Sequence, residues 1–591
     1  MLARPAFKEQ VIRTMATAYE ADLLHAAHPG QPEIHSFTSR RSTVMGTRGM
    51  VAASQPLAAE AGMRILQQGG NAADAAVAVA AALNVTEPNM TGIGGDAFAL
   101  YYSAKDRTVS AIMGNGHSPG NLTLEAVREK GIKGTELPPY SPLCITVPGA
   151  AALWEDLVKE HGSKSMQDVL QPAIELAEGG FPVSPITARL WAGHREQLLQ
   201  GGGYTFLNED KSTPKYGQLF RNPDLAQTFR TLAEQGAQAG FYKGRIADAI
   251  VEEVQSRGGL LTHDDLASHR SLFTRPITTS YRGLRVHEIP PPTQGMAALM
   301  AFNSLELDEQ LRERRWGSAE HLHSAIEAMR LAFSDTLAYC ADPQSVNVPI
   351  DDLLSKQYAK QRRAKLFKPD KAAEIHPGDP SLDFSSDERR PGGDTVYFCT
   401  ADGQGNACSF INSNYMGFGT GIVPQGCGFS LQNRGQGFII DPKHPNCIGP
   451  HKRPYHTIIP GMVTDANGEL FAAFGVMGGF MQPQGHLQVL SNMVDFGMDP
   501  QTALDAPRFA LGGVDSVEGP SCVSQSSVLL EEGFEDGVSK QLRQLGHHVE
   551  SPLSRGARQV FGRGQIIRRN PKTGLLAGGS DPRADGQVLG W

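Results

Sequence analysis

Arg390-Pro391-Gly392-Gly393-Asp394-Thr395 runs directly into Val396-Tyr397-Phe398-Cys399-Thr400. A polar segment broken by proline and glycine thus gives way to a run that is typical of a buried strand. A threonine at the start of a core strand, preceded by two glycines that relax the backbone, is what an enzyme needs if it cuts its own chain to free a catalytic threonine amine. A loop that simply ends where a strand begins would look the same, so this junction alone leaves both interpretations open.

The bulk properties of the chain favour a large enzyme that acts on a small molecule. Its 591 residues are 40% hydrophobic and 20% charged, as in ordinary globular proteins. The formal net charge of -8 provides no basic surface for nucleic acid or for an anionic membrane, so we expect neither as a partner. Neither a membrane-spanning apolar run nor a signal peptide is visible, and the sequence therefore predicts a cytoplasmic location.

Metal, disulfide and common hydrolase motifs are not apparent. The 7 cysteines are odd in number, scattered, and never in a C-x-x-C pair, which argues against a disulfide framework and a zinc site. His321 and His323 are two positions apart in a predicted helix and should point in different directions, which makes a metal site there improbable. The sequence contains no G-x-S-x-G, H-E-x-x-H or EF-hand motif. We expect neither a metal nor a cofactor.

Hydrophobic periodicity divides the chain into a helix-rich front and a strand-rich back. Helices are predicted at 56–68, 72–83, 150–161, 166–179, 246–257, 319–339 and 353–363, and strands at 50–53, 97–102, 395–400, 405–412, 457–463, 470–475 and 558–569. This order favours α+β layers over alternating βαβ units. Residues 1–42 are expected to be an N-terminal extension, and the charged, proline-rich residues 365–394 a mobile linker that leads to Thr395.

Several further segments agree with a self-cleaving enzyme. They are Val51-Ala52-Ala53-Ser54-Gln55-Pro56-Leu57-Ala58, Gly69-Gly70-Asn71-Ala72-Ala73-Asp74-Ala75, Gly92-Ile93-Gly94-Gly95-Asp96, Glu327-Ala328-Met329-Arg330, Gly417-Phe418-Gly419-Thr420-Gly421-Ile422, Lys452-Arg453-Pro454, Phe474-Gly475-Val476-Met477-Gly478-Gly479 and Leu504-Asp505-Ala506-Pro507-Arg508-Phe509. With the junction at Thr395, this set resembles the γ-glutamyltransferase family of N-terminal-nucleophile hydrolases over residues 43–591. The resemblance implies a four-layer αββα sandwich made from one self-cleaved precursor.

The same resemblance implies two subunits and a division of catalytic roles. Residues 43–394 would form the large subunit and residues 395–591 the small catalytic one, and the cleaved units could pair into a dimer of heterodimers. The Thr395 hydroxyl would attack the Asp394 carbonyl, forming an ester that water opens. The freed α-amine, whose reference pKa is about 7.7 to 8.0, would then serve as the base near neutral pH while the same hydroxyl attacks the substrate amide and forms an acyl-enzyme.

Three other residues are expected to assist Thr395. Gly478 and Gly479 match the family's oxyanion glycines, whose backbone N–H groups would stabilise the developing negative charge, although a plain turn would have the same sequence. Ser413 occupies the position of the hydroxyl residue beside the nucleophile's amine, and we expect it to orient that amine.

The substrate pocket is expected to contain Asn115, Tyr415, Asn433, Arg434, His456 and Thr457. Asn115 replaces the arginine with which glutathione-cleaving members hold the glutamyl α-carboxylate, and residues 432–438 contain no carboxylate to bind the α-amine. Arg434 replaces a glutamine, and its guanidinium could grip a small carboxylate through two hydrogen bonds. Asn433 and Thr457 could equally satisfy local backbone groups, and Arg434 could belong to a structural ion pair.

These replacements resemble the oxamate amidohydrolase branch of the family. The sequence therefore predicts a self-processing threonine amidohydrolase that favours hydrolysis over transpeptidation and acts on a small carboxylate-bearing amide such as oxamate. One alternative is a glutathione hydrolase that recognises the α-amino acid end of its substrate through other residues. Another is a catalytically silent family member that retains the fold.

Overall fold

The computed structural model describes residues 41–380, 394–513 and 523–591. Residues 1–40 of the expected N-terminal extension and residues 381–393 of the expected linker lie outside the described residues. At Asp394 the backbone alone is described.

The strands of the described residues form two large antiparallel sheets, a three-stranded sheet and a two-stranded sheet. They are β1 (Val44–Gly46), β2 (Gly49–Ala53), β3 (Asp96–Ser103), β4 (Thr108–Gly114), β5 (Phe181–Pro182), β6 (Leu219–Phe220), β7 (Leu272–Thr274), β8 (Ile277–Tyr281), β9 (Leu284–Glu288), β10 (Asp394–Asp402), β11 (Ala407–Tyr415), β12 (Gly461–Thr464), β13 (Leu470–Met477), β14 (Phe509–Gly512), β15 (Ser527–Glu531), β16 (His548–Leu553), β17 (Arg563–Arg569), β18 (Leu576–Ser580) and β19 (Gln587–Gly590). One sheet has the order β19-β2-β10-β11-β3-β4-β7, and we call it the nucleophile sheet. The second sheet has the order β1-β18-β17-β13-β12-β9-β8.

The helices of the described residues lie around the two large sheets, and several of them pack directly on a sheet. They are α1 (Pro56–Gln67), α2 (Ala72–Thr86), α3 (Leu124–Glu129), α4 (Ala150–His161), α5 (Met166–Gly179), α6 (Pro185–Ala192), α7 (Arg195–Gly201), α8 (Pro223–Gly236), α9 (Gly244–Ser256), α10 (His263–Ser268), α11 (Gly295–Glu306), α12 (Ala319–Tyr339), α13 (Ile350–Leu353), α14 (Lys356–Leu366), α15 (Met481–Val494), α16 (Pro500–Asp505) and α17 (Val538–Gln544). Helices α1, α2 and α4 pack on the nucleophile sheet, whereas α11 and α15 pack on the second sheet. The two sheets face each other through β10, β13 and β17. This arrangement confirms the predicted four-layer α+β sandwich.

Helix α2 illustrates how composition determines position in this fold. Its run of alanine and valine has small side chains on every face, and all of its residues are buried. Asn71 caps the helix in a reciprocal arrangement with Asp74, which satisfies backbone N–H groups at the buried end. The small side chains let α2 lie close to α1 and to strands β10 and β11.

The predicted helices 150–161, 166–179 and 319–339 have these boundaries in the structure. The helix predicted at 353–363 is wrong in outline, because α13 ends at Leu353 and the Ser355 hydroxyl caps a new helix, α14, by accepting a hydrogen bond from Tyr358 N. Strand β12 begins only at Gly461, and a short 3-10 helix occupies Arg555–Phe561, before Gly562 with φ 68°.

The described part of the expected linker is packed against α12. The backbone N–H of Ala373 donates to Glu327 Oε2 at 3.0 Å, and that of Gly378 donates to Asp335 Oδ1 at 2.7 Å. These hydrogen bonds attach residues 373–378 to α12, whereas the sequence predicted that residues 365–394 form a mobile linker. A search of the described residues finds no helix with the length and apolar character needed to cross a membrane.

Candidate active site

Thr395 lies at a local irregularity where β10 enters the nucleophile sheet. Asp394 pairs with Tyr415 of β11, yet Val396 pairs with Asn412, so the register shifts at Thr395. Two residues of β11, Ser413 and Asn414, thus lie opposite Thr395, and such a bulge redirects side chains of the strand that carries the extra residue. The Thr395 hydroxyl donates to Ser413 Oγ at 3.1 Å, and both side chains are buried.

Ser413 is a hydrogen-bonding centre as well as a neighbour of Thr395. Its Oγ also accepts from Tyr415 N at 2.9 Å and from Arg434 Nη2 at 3.2 Å. Tyr415 has φ 78°, a left-handed conformation that is uncommon for a non-glycine residue and is often found at functional sites. Its ring lies 4.3 Å from Arg434 Cζ, in a cation–π arrangement. The predicted residues Thr395, Ser413, Tyr415 and Arg434 thus form one cluster.

Arg434 is a fully buried cation with neutral partners on its terminal nitrogens. Besides Ser413, it donates from Nη1 to Thr457 Oγ1 at 3.0 Å. Its Nε lies 4.0 Å from Asp96 Oδ2 and has no hydrogen-bond acceptor among the described residues. Burial lowers the pKa of Arg434 to about 10, while the Asp96 carboxylate opposes that shift.

Asp96 is a carboxylate of this site that the sequence analysis did not assign. It is the first residue of β3 and is fully buried, and it accepts from Gln432 Nε2 at 3.0 Å and from Gly116 N at 3.3 Å. Burial raises the pKa of Asp96 to about 7, and the Arg434 guanidinium works against that rise. In the sequence, Asp96 stands out only as the last residue of the segment 92–96, and that segment indicates the family but not a role for the carboxylate.

The predicted pocket residue His456 is the other close partner of Asp96. Its Nε2 lies 2.9 Å from Asp96 Oδ2, and its ring meets Phe98 edge-on at 4.7 Å between centroids. Burial, reinforced by the nearby Arg434 charge, holds the pKa of His456 well below its usual range. Its Nδ1 is buried without a hydrogen-bond partner in the described part of the chain.

Gly478 and Gly479 connect β13 to the start of α15 and have φ values of 135° and 58°. Their carbonyls accept from the first turn of α15, whereas neither backbone N–H has an acceptor among the described residues. Gln294, which the sequence analysis also missed, donates from Nε2 to both the Gly479 and the Thr457 carbonyl oxygens. Hydrogen bonds connect this turn to Ser413, because Arg434 donates both to Thr457 Oγ1 and to Ser413 Oγ. The arrangement provides unpaired N–H donors of the kind that an oxyanion requires.

Asn115 and Asn433 differ in how their side chains are used. Asn433 accepts from Met416 N at 3.1 Å and donates to Pro139 O at 2.7 Å, so its amide satisfies backbone groups. The Asn115 side chain is buried, and neither of its polar atoms has a partner among the described residues. A role for either residue in substrate binding stays a prediction.

His323, Glu327 and His547 are the group within the described residues that could hold a metal ion. Their polar atoms already have partners, because His323 Nδ1 lies 2.7 Å from His547 Nε2 and its Nε2 lies 2.7 Å from Lys368 O. Glu327 accepts from Arg330 and from a backbone N–H. This hydrogen-bonded network explains the cluster without an ion. The other histidine considered in the sequence, His321, accepts from Gly317 N at 3.0 Å.

Comparisons with known proteins show the family of this chain. The family model for gamma-glutamyltranspeptidase matches residues 58–591. A glutathione hydrolase-like YwrD proenzyme from Bacillus subtilis is 36% identical over 93% of this chain and 99% of its own length, and an oxamate amidohydrolase proenzyme from Klebsiella pneumoniae is 31% identical over 93% and 100%. The crystal structure of cephalosporin acylase from Bacillus halodurans superposes with a TM-score of 0.85 and 42% identity, over 96% of this chain and 98% of that one.

The names of these relatives describe hydrolytic enzymes, and two of them describe proenzymes, which are precursors cleaved into subunits. Their matches extend over nearly the whole chain, including both sides of the junction at Thr395. The chain therefore belongs to the γ-glutamyltransferase family of N-terminal-nucleophile hydrolases and is an amidohydrolase of that family.

Proposed function

We propose that Thr395 is the nucleophile of a self-processing amidohydrolase whose substrate is a small amide with a carboxylate next to the scissile carbonyl, such as oxamate. The observation that carries this proposal is the position of Arg434. Hydrogen bonds of 3.1 and 3.2 Å, both to Ser413 Oγ, connect the Thr395 hydroxyl to the guanidinium. A buried cation so close to the nucleophile favours a substrate whose negative charge lies close to its reacting carbon.

The charge balance around Arg434 supports an anionic substrate. Its nearest carboxylate, Asp96, has a pKa of about 7 because of burial, so near neutral pH a large fraction of the Asp96 carboxyl is protonated. The guanidinium keeps its charge at that pH. A buried cation without a fully ionised partner is costly, and a substrate carboxylate would remove that cost.

The reaction proceeds in two stages at one hydroxyl. In the precursor, Thr395 Oγ attacks the Asp394 carbonyl carbon, the peptide C–N bond breaks, and water opens the resulting ester to leave a free Thr395 amine. In the mature enzyme that amine takes the proton of the hydroxyl as Oγ attacks the substrate amide, and ammonia or an amine leaves. The N–H groups of Gly478 and Gly479 stabilise the oxyanion, and water then hydrolyses the acyl-enzyme.

The proposed cut before Thr395 gives a large subunit that ends at Asp394 and a small subunit of residues 395–591. Pairing of these cleaved units into a dimer and a cytoplasmic location stay predictions, which gel filtration of the cleaved protein and cell fractionation would test. Mass spectrometry of the purified protein tests the cut itself, because the small subunit should begin at Thr395.

A second candidate function is glutathione hydrolysis, which the position of Asp96 favours. The sequence lacks a carboxylate in residues 432–438, but Asp96 places one 4.0 Å from Arg434 Nε, where it could meet an α-ammonium group. Against this candidate, Asp96 already accepts from Gln432 and Gly116 and contacts His456. Its remaining capacity for another donor is small.

Parallel assays separate the two functions. Ammonia release from oxamate and p-nitroaniline release from γ-glutamyl-p-nitroanilide should be measured with the same cleaved preparation, at matched concentrations and pH. We expect kcat/KM for oxamate to exceed that for the γ-glutamyl amide. Turnover of the γ-glutamyl amide with none of oxamate would replace the proposed specificity with the second candidate, and turnover of neither by cleaved protein would refute both.

A further inference from the structure

Unpaired buried polar atoms are concentrated in the residues that hold Asp96. Within the described residues, Arg434 Nε, His456 Nδ1, Gln432 Oε1 and both side-chain polar atoms of Asn115 have no hydrogen-bond partner. Arg434, His456 and Gln432 contact Asp96 directly, and Asn115 precedes Gly116, which donates to it. Unpaired buried atoms occur elsewhere in the described residues too, but here five of them surround one carboxyl beside the proposed nucleophile, where a bound ligand would satisfy them.

The protonation state of the Asp96–His456 pair determines whether His456 Nδ1 is a hydrogen-bond donor or an acceptor. When Asp96 is ionised and His456 is neutral, His456 Nε2–H donates to Asp96 Oδ2, and Nδ1 carries no hydrogen and is an acceptor. One added proton gives either a carboxylic acid that donates to Nε2 or an imidazolium beside a carboxylate. In both cases Nδ1 carries a hydrogen. Proton uptake by the pair therefore converts Nδ1 from an acceptor into a donor, whichever residue holds the proton.

The same uptake changes the charge that faces Arg434. Arg434 and His456 are the titratable side chains in closest contact with the Asp96 carboxyl, and Gln432 and Gly116 N contribute neutral donors. Arg453 and Tyr242 also interact electrostatically with Asp96, and Arg453 is in turn balanced by Asp342. An added proton neutralises the negative charge of the pair, so the guanidinium of Arg434 becomes the uncompensated charge of the site.

We propose that Asp96 is a specificity-determining residue that acts through Arg434 and His456, and that binding of the substrate carboxylate is coupled to uptake of one proton by the Asp96–His456 pair. This inference rests on the proposed function, because it assigns the regulation of the same carboxylate subsite. The ionised pair competes with the substrate for Arg434. The protonated pair releases Arg434 and supplies an additional donor, Nδ1–H. The titration range of Asp96, about 7, places this exchange near physiological pH.

The first test uses the cleaved wild-type enzyme and oxalate, the product of oxamate hydrolysis, which stays ionised throughout the range. The inhibition constant of oxalate against oxamate hydrolysis should be nearly constant below pH 6.5 and rise roughly tenfold per pH unit above about 7. Calorimetric titration with oxalate in two buffers of different ionisation enthalpy should show uptake of about one proton at pH 8 and almost none at pH 5.5. The free Thr395 amine, with a reference pKa of about 7.7 to 8.0, also titrates in this range, so a variant that lacks only the Asp96 carboxyl is needed to separate the two groups.

The second test replaces the carboxyl. Asp96→Asn keeps the shape and cannot ionise, so the inhibition constant of oxalate should lose most of its pH dependence between 6.5 and 8.5. Asp335→Asn is the matched control, because Asp335 is also a buried aspartate beside an arginine, Arg362, and its pKa is also raised by burial. That control should keep the wild-type dependence.

The outcomes distinguish this inference from the function on which it rests. If cleaved wild-type enzyme hydrolyses oxamate with an oxalate inhibition constant that is independent of pH, the inference is overturned and the function stands. If oxamate is not hydrolysed and oxalate does not bind, both fail. Should Asp96→Asn prevent folding or cleavage, Asp96→Glu keeps a carboxyl at a changed distance from Arg434 and should shift the pH at which the inhibition constant begins to rise. An unchanged pH would overturn the inference.

Discussion

The hydroxyl groups of Thr395 and Ser413 face each other across strands β10 and β11, with 3.1 Å between their oxygens. The register shift at this point sets two residues of β11, Ser413 and Asn414, opposite the single residue Thr395 of β10. The proposed nucleophile therefore lies at the start of a sheet strand, where its position is more exact than it would be on a loop.

Replacing Thr395 with alanine should abolish both self-cleavage and hydrolysis. The variant lacks the oxygen that attacks Asp394, so gel electrophoresis should show an intact chain after prolonged incubation, whereas the wild type gives two pieces. Thr400→Ala is the matched control, because Thr400 lies in the same strand and its buried hydroxyl donates to Ala72 O. That variant should still be cut, and slow cutting of Thr395→Ala at the same bond would exclude Thr395 as the nucleophile.

Ser413→Ala should slow cleavage and hydrolysis by roughly ten- to a hundredfold. Its loss leaves Tyr415 N and Arg434 Nη2 without their acceptor, at a cost of about 1 to 3 kcal/mol for a buried group. The rate of precursor loss and the kcat of the cleaved fraction measure the effect. Ser409→Ala removes another buried hydroxyl of β11, which contacts Tyr397 OH at 2.7 Å, and should leave both rates near wild type. Equal effects of the two variants would indicate a merely structural role for Ser413.

Gln294→Ala should lower kcat while changing KM little. Without the amide, the Gly479 and Thr457 carbonyls lose a shared donor, and the turn that presents the Gly478 and Gly479 N–H groups loosens. Steady-state kinetics should show a fall in kcat of roughly tenfold or more, equivalent to about 1.4 kcal/mol. Gln501→Ala, which removes a buried donor to Ser580 O, should lower the melting temperature without this fall in kcat. A rise in KM at constant kcat would contradict the prediction.

Arg434→Lys should raise KM for oxamate by roughly ten- to a hundredfold, since a charge-assisted hydrogen bond contributes about 1.5 to 3 kcal/mol. An ammonium cannot contact Ser413, Thr457 and a substrate carboxylate in the fork geometry of a guanidinium. Arg568→Lys is a suitable control, because Arg568 is also buried over an aromatic ring, Phe471, at 4.6 Å. Initial-rate measurements that show the same KM in wild type and Arg434→Lys would remove Arg434 from the substrate site.

Stability should fall as the pH drops from about 6.5 toward 4. Burial lowers the pKa of His269 to about 3 and those of His117, His287 and His321 to about 4, so below pH 6.5 the unfolded chain binds protons that the folded chain excludes. Each such group contributes about 1.4 kcal/mol per pH unit over that window. Stability present above pH 6.5 is therefore lost on acidification, as urea unfolding at a series of pH values would measure.

His269→Phe isolates one of these contributions. The His269 ring contacts Tyr242, and neither of its side-chain nitrogens has a hydrogen-bond partner among the described residues. Phenylalanine should therefore pack there and reduce the pH dependence between 6.5 and 4 by about one proton. An unchanged slope would show that His269 does not resist protonation in the folded state.

The sequence predicted what depends on local pattern. Helix α12 has the predicted limits because its capping serine, Ser318, and apolar periodicity are both local signals. The strand at Thr395 and the proximity of Ser413, eighteen positions later, could be inferred because β10 and β11 are neighbours in the chain and the motif is specific. Where a local cap signal was overlooked, as at Ser355, the predicted boundary was wrong.

Asp96 and Gln294 could not be assigned to the site from the sequence, because their partners are far away along the chain. Asp96 reaches Gln432 and His456 across more than three hundred residues, and Gln294 reaches Gly479 across 185. No spacing rule connects such positions, because their proximity follows from sheet order rather than from sequence separation. For Asn433 the sequence left two roles open, and the structure shows its amide bonded to the backbone at Met416 and Pro139.

The order of strands in the two sheets has a consequence for whether the cleaved enzyme can refold. A cut before Thr395 leaves β2 of the first piece between β19 and β10 of the second, and β3 beside β11, while in the other sheet β1 pairs with β18 and β9 with β12. The pieces are interleaved through main-chain hydrogen bonds in both layers and cannot part without unfolding. Since only the intact chain held the correct neighbours within one molecule, denaturation of the cut enzyme should be irreversible. The proposed cut would thus leave a native structure that its two separated pieces cannot easily form again.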